Sequence, residues 1–205
     1  IGAKRISGRE AQEQLNESAL SGKLSQSSRQ VLHRFDLTDA FASKPTEALR
    51  NLHERAVDDP RRDVLFALAE MNFLHATRVA RKVKAADREQ APDFHLSAAI
   101  YSWLYLLGDH VEPPPGPFDR RFRIACDLYN RAVAQAFAFG PRTNYLVRMV
   151  GGSRHLAPGS VEVEFRPEAF KWNLDEIAQF LPADEFRVRG LSVRDRQSGL
   201  GAPLG

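Results

Sequence analysis

One stretch, Asp63 to Lys84 (DVLFALAEMNFLHATRVARKVK), constrains the fold of this chain more than any other. Its apolar positions Val64, Leu65, Leu68, Met71, Leu74 and Val79 recur at helical spacing, and Ala69 and Ala76 are small enough to let a second helix approach. Pro60 suits the approach to a helix, where its missing N–H has no intrahelical partner to lose. The spacing predicts a core helix around which the rest of the chain is organised.

Further helices are legible on both sides. Residues 1 to 26 are polar and rich in Ser and Gly, with a short helical candidate at Arg9 to Leu15 and a loop over Leu20 to Ser25; they read as an extended arm. Ser27 or Ser28 is placed to cap a helix through Val31, Leu32 and Phe35, and Pro45 to Ala56 carries Leu49, Leu52 and Ala56 on one face. After the central helix, Ala85 to Pro92 reads as a turn. Asp93 is expected to cap a second apolar helix with Leu96, Ala99, Ile100, Trp103, Leu106 and Leu107 as its stripe and Gly108 as its stop. Val111 to Pro117 holds four prolines and reads as a semi-rigid connector. A third long helix is expected from about Asp119 to Phe139, with Phe122, Ala125, Leu128, Ala132 and Ala136 on one stripe and Gly140-Pro141 ending it.

The fold class that follows is mainly α. Small residues alternate with bulky ones in helices paired across short loops, which resembles helix-hairpin repeats of the tetratricopeptide type, although no 34-residue period is present. From Gly151 the composition shifts to period-two alternation at Val161 to Phe165 and Phe186 to Val193, with a short helix from Asn173 through Ile177 and Phe180 between them. The expected organisation is an arm over 1–26, a helical bundle over 27–150 and a small strand-helix-strand segment over 151–205. That last unit is too small to stand alone and is expected to lead into a further domain.

Composition narrows the function classes. A hydrophobic share of 43% and a charged share of 27% over 205 residues are values of a chain that folds. The net charge is only +3 and the charges are mixed, so no nucleic-acid partner is expected. Cys126 is the single cysteine, which excludes an internal disulfide and a multi-cysteine zinc site, and no run of 18 apolar residues is present. The chain begins at Ile1 without a signal-peptide pattern, which reads as a processed or truncated start.

No complete catalytic constellation appears. The six histidines, His33, His53, His75, His95, His110 and His155, show no metal-ligand spacing, and no cofactor is implied. His75 continues the apolar stripe of the central helix and reads as packing, or as part of an interaction groove with Trp103 and Tyr101. A serine hydrolase presents its nucleophile in a GxSxG turn; the nearest approach, Gly151-Gly152-Ser153-Arg154-His155, lacks the second glycine and is expected to be a loop. Gly199-Leu200-Gly201 lacks the third glycine of a phosphate-binding turn. The basic clusters Arg78, Arg81, Lys82, Lys84 and Arg120, Arg121, Arg123 read as solvated helix faces, with anionic lipid headgroups as the alternative contact.

Several stretches taken together resemble the N-terminal region of a bacterial family of lipoproteins of α/β-hydrolase type. They are Leu20 to Ser25, Ser28 to Leu32 (SRQVL), Leu52-His53, Arg62 to Glu70 (RDVLFALAE), Ala98 to Tyr101 (AAIY), Ala125 to Arg131 (ACDLYNR), and Gly190-Leu191 with Gly199 to Leu204. The resemblance implies a helical region that follows a lipid-modified cysteine and precedes the lipase- or esterase-like domain carrying the catalytic serine. Neither the lipidated cysteine nor the hydrolase motifs lie in these 205 residues, so no catalytic residue is assigned. What it implies is a non-catalytic module on the periplasmic side of the cell envelope, positioning or docking the enzyme, with a downstream hydrolase domain or another protein as partner and membrane association through an upstream anchor. The alternatives are a stand-alone adaptor that binds a peptide or protein, and a structural subunit of an envelope assembly.

Overall fold

The central stretch forms helix α5, Arg62–Ala80, and every residue from Val64 to Ala76 on it is buried. A helix that is apolar all round must be covered all round. In the computed structural model, which describes residues 7–109, 111, 113–116, 118–140, 146–148, 150–166, 179, 180, 182 and 200, that cover comes from four other helices. These are α2 (Gln26–Arg34), α4 (Pro45–Asp58), α7 (Ala91–Leu107) and α8 (Arg120–Ala136), with a 3-10 turn at Ala19–Ser21 closing part of one side. The shorter helices α1 (Gly8–Leu15), α3 (Thr38–Ser43) and α6 (Ala85–Arg88) join or flank them. The chain is therefore mainly helical, with two small antiparallel strand pairs.

The two longest apolar helices run antiparallel, because aromatic rings meet in reverse order along them. Phe66 packs on Tyr105 at 5.4 Å between centroids, Phe73 on His95 at 5.2 Å, and His75 edge-on to Phe94 at 4.4 Å. This pairing buries Leu96, Ala99 and Leu106 of the expected stripe but turns the rest of the buried face elsewhere. Phe94, Ala98, Tyr101 and Tyr105 are buried, whereas Trp103 and Leu107 are exposed. Apolar residues lie on every side of α7, so periodicity alone does not select a face; the fit of its aromatic rings against α5 does.

Helix ends also differ from the expectation where side chains offer the backbone an alternative. α5 stops at Ala80 rather than Lys84, and Arg88 donates from Nη1 to the carbonyls of Lys82 (3.2 Å) and Val83 (2.8 Å). α7 starts at Ala91 with Pro92 in its first turn, so Asp93 lies inside the helix and binds Arg154 (2.7 Å) instead of capping. Gly108 does end α7: its N–H donates to Leu104 O at 2.9 Å, and a Cβ there would stand 2.4 Å from that oxygen. α8 is capped by Asp119, which accepts from the Arg121 N–H at 2.9 Å, and gives way at Ala136 to strand β1 (Ala138–Phe139), paired with β2 (Leu146–Val147).

The stretch 151–155, expected to be a loop, is a strand. β3 (Gly152–Leu156) pairs with β4 (Gly159–Val163) in an antiparallel hairpin that sets His155 opposite Ser160. Arg154 fixes it to the bundle through Asp93 and through the Ala136 carbonyl at the end of α8, at 3.4 and 3.5 Å. The expected helix from Asn173 and strand from Phe186 to Val193 lie outside the described residues, apart from residues 179, 180 and 182.

A buried carboxylate fastens the N-terminal segment to this core. Glu70, fully inaccessible on α5, accepts from the Ala19 N–H (2.8 Å), the Ser25 N–H (3.1 Å), the Ser25 hydroxyl (2.5 Å) and the Ser28 hydroxyl (2.6 Å). Ser25, not Ser27 or Ser28, is the N-cap of α2, and its Oγ accepts from the Ser28 N–H at 3.3 Å. One side chain thus holds both the 3-10 turn and the start of α2. Burial pushes the Glu70 carboxyl above the usual carboxylate range, and the four donors pull against that shift. At the other end of α5, the Arg62 guanidinium donates to the carbonyls of Tyr105, Gly108 (3.3 Å), Val111 and Pro113 (2.5 Å) and so ties down the turn that follows α7.

Replacing Glu70 by Ala takes the acceptor from two buried N–H groups and the Ser28 hydroxyl, while the Ser25 hydroxyl keeps Ser27 and Ser28 in reach, and is expected to lower the urea-unfolding free energy by about 3 kcal/mol. Ser28→Ala removes one donor and should cost about 1 kcal/mol. Losses below about 0.5 kcal/mol for both, the size of an ordinary surface change, would contradict this account of the network.

Candidate functional site

The three residues singled out for an interaction groove face different surroundings. His75 is buried against Phe94, and burial, with Lys82 and Arg78 nearby, pushes its imidazole down to about 4. Tyr101 is buried toward α4, where its hydroxyl meets His53 Nδ1 at 2.8 Å; burial raises its pKa. Trp103 is 45% exposed, and Leu107, one turn on, is 49% exposed. At this end of the bundle, where α7 stops and α8 begins, Phe118 is fully exposed and Phe122 is partly so. Trp103 is therefore exposed near the end of α7, while His75 and Tyr101 belong to the interior.

A groove of about 820 Å³ lies at the opposite end of α7. Its walls are the C-terminal half of α5 (Phe73, Thr77, Arg81), the first turns of α7 (Ala91, Pro92, His95) and the last turns of α8 (Arg131, Ala134, Gln135), with Leu20 and Ser21 on the rim. The charged side chains lining it are Arg81, Arg88 and Arg131, and no Asp or Glu lines it among the described residues. His95 is 5% exposed, and its Nδ1 has no hydrogen-bond partner among the described residues. Burial pushes its imidazole down to about 4, which leaves the ring neutral at pH 7 with one donor and one acceptor nitrogen.

Two other buried polar atoms lack a partner among the described residues: Asn72 Oδ1 and the Tyr105 hydroxyl, the latter near the Asp119 carboxylate but outside hydrogen-bond geometry. Neither lines the groove. The sequence places Arg81 on a solvated face, shows no metal-ligand spacing at His95 and singles out neither Arg131 nor Glu70. Only the pairing of α5 with α7 and α8 brings Arg81, His95 and Arg131 to one cavity.

The arrangements nearest to catalysis are incomplete. His155 Nδ1 meets Ser160 Oγ at 2.9 Å across the β3–β4 hairpin, but both groups are exposed on a ribbon, outside the groove. A nucleophile and base of that kind need a third group orienting the ring and donors for the developing oxyanion. Cys126 is half-buried on α8, and burial, followed by the Asp127 charge, raises its pKa, the opposite of an activated thiol. Among the described residues no group of three His, Cys, Asp or Glu side chains is placed to hold a metal ion, and no helix is long and apolar enough to cross a membrane. The basic cluster on α8 is partly neutralised, since Arg121 pairs with Asp119 at 2.6 Å. His110, and all of the Gly199–Gly201 turn except Leu200, lie outside the described residues.

Comparison of the chain with protein-family models, with curated proteins and with solved structures finds no match.

The buried histidines set a pH dependence. The folded pKa of His95, about 4, lies below its unfolded value of 6.5, so its contribution to stability is present above pH 6.5 and is lost as pH falls toward 4. Between pH 6.5 and 5 this amounts to about 2 kcal/mol. His95→Gln should flatten the fall of urea-unfolding free energy over that interval by about this amount. Glu70, whose pKa is raised, contributes in the opposite sense as pH rises through its folded value, and it cancels when variant and parent are compared. Equal slopes for both chains would contradict a neutral buried imidazole at position 95.

Proposed function

We propose that the chain is a non-catalytic helical module that docks a partner protein domain, and that the partner is an α/β-hydrolase of the lipoprotein type its sequence resembles. The observation that carries this reading is the exposure of large apolar side chains on both helices where α7 ends and α8 begins. Trp103 and Leu107 lie one helical turn apart on α7, and Phe118 and Phe122 flank the start of α8. Exposed aromatic and aliphatic side chains gathered in one place are the usual material of a protein interface, with Trp foremost among interface anchors. Anchorage at the cell envelope belongs to the same reading and rests on the sequence resemblance alone.

In the adaptor alternative, a tetratricopeptide-like bundle offers the same surface to a peptide. One experiment separates the two. A photoreactive residue, p-benzoylphenylalanine, is placed at Leu107, and at Glu47 on α4 as a control, in the natural protein in its own cells. An adduct at position 107 to a peptide from an α/β-hydrolase domain, in the same or another polypeptide, is the expected result; no adduct is expected at position 47. An adduct to an unrelated protein favours the adaptor, and no adduct at position 107 overturns both. The pure chain should also hydrolyse p-nitrophenyl butyrate no faster than buffer, and clear turnover would refute a non-catalytic module.

A further inference from the structure

The groove at the far end of α7 is independent of the Trp103–Leu107 surface, and its chemistry is of a different kind. Its volume of about 820 Å³ suits a small organic ligand, since such sites run to roughly 300 to 1,000 Å³. The lining is apolar at Phe73, Ala91, Pro92, Ala134 and Phe139 and positively charged at its margins. Arg88 is partly committed to the Lys82 and Val83 carbonyls, whereas Arg81 and Arg131 are exposed and make no ion pair among the described residues. Guanidinium groups without carboxylates beside them favour an anionic occupant, and their planar fork matches carboxylate and phosphate oxygens.

A second, independent feature points the same way. His95, more than nine-tenths buried, lines this groove, and its Nδ1 has no hydrogen-bond partner among the described residues. A buried polar atom left unpaired costs roughly 1–3 kcal/mol, so such atoms are rare unless a ligand or water meets them. Phe73, packed edge-on against the His95 ring at 5.2 Å, gives the same spot an aromatic wall.

We propose that this groove binds a small organic anion with an apolar or aromatic body, its carboxylate or phosphate taken by Arg81 and Arg131 and its body lying on Phe73 beside the His95 ring. Anionic amphiphiles of this description occur free in solution and as the headgroups of membrane lipids. Both present the same acidic head to the arginines.

The test uses the whole chain, labelled with ¹⁵N, and titrates 4-phenylbutyrate, phenyl phosphate and the neutral 4-phenylbutanol while amide shifts are followed. At least one of the acids should move the signals of Phe73, Arg81, His95 and Arg131 to saturation, with the alcohol bound at least about tenfold more weakly. The double variant Arg81→Gln/Arg131→Gln should lose about tenfold in affinity for the acid, with an unchanged melting temperature because both side chains are exposed. A parallel arm measures co-sedimentation with phosphatidylglycerol vesicles and with phosphatidylcholine vesicles. Binding to the anionic vesicles alone, abolished in the double variant, assigns the site to a lipid headgroup; acid binding without vesicle binding assigns it to a free ligand. The proposal is overturned if neither acid nor anionic vesicles engage these residues, or if the double variant binds as the parent does. None of these outcomes bears on the crosslink at Leu107, so the docking reading and this site fail separately.

Discussion

A carboxylate buried without a cation dominates the energetics of this fold. Glu70 lies on the most enclosed helix, and among the described residues no Lys or Arg neutralises it. Removing such a group from water is costly, and only hydrogen bonds to the charged form offset the cost. Four donors do so here, two from the backbone at Ala19 and Ser25 and two from the hydroxyls of Ser25 and Ser28. Oε1 accepts the bond from Ala19, and Oε2 accepts the three from Ser25 and Ser28. The consequence is geometric: the 3-10 turn and the first turn of α2 have one position relative to α5, because any other leaves donors and acceptor apart.

That constraint extends to the groove. Ala19, Leu20, Ser21 and Gly22 form part of its rim, and their place is set by the Ala19 N–H bond to Glu70. Gly22, at φ +85°, turns the chain away immediately afterwards, a conformation that favours glycine. The opposite end of α5 is organised in the same manner by Arg62, whose guanidinium gathers the carbonyls after α7 and fixes the end of the bundle where Trp103, Leu107 and Phe118 are exposed. Glu70 and Arg62 thus tie α5 to the groove rim and to the end of the bundle where Trp103 is exposed, respectively.

Much of this architecture is legible in the residues, and the parts that are not have identifiable causes. Helices α4, α5 and α8 follow from periodicity, because Leu49, Leu52, Val64, Leu68, Met71, Leu128 and Ala132 repeat at helical spacing and are all buried. α7 is legible as a helix but not in its orientation, since apolar residues surround it and only the fit of Phe94 and Tyr105 to His75 and Phe66 selects a face. Polar contacts across long sequence separations leave no periodic trace. Glu70 sits in RDVLFALAE as one acidic residue among apolar ones, and its partners Ser25 and Ser28 lie more than 40 residues earlier. Three separate stretches, Leu20 to Ser25, Ser28 to Leu32 and Arg62 to Glu70, meet at this one carboxylate. The candidate groove is hidden for the same reason, as Arg81, His95 and Arg131 come from three helices and none stands out in its own segment. Of the hairpin, β4 overlaps the strand expected at Val161 to Phe165, whereas β3 escapes because Gly151 and Gly152 read as loop while Arg154 draws the strand onto α7 and α8.

Amide hydrogen exchange at Ala19 and Ser25 tests the central role of Glu70 most directly. Both amides lie outside the long helices, in segments that exchange within seconds to minutes when solvated, and each donates to a buried carboxylate. If Glu70 fastens the N-terminal segment to the core, these two amides exchange only through global unfolding, with the same protection free energy as the amides of Leu68 and Met71 on α5. Protection lower by several kcal/mol, with Ala19 and Ser25 exchanging nearly as freely as solvated amides, would show that the segment opens independently of the core and would contradict the account.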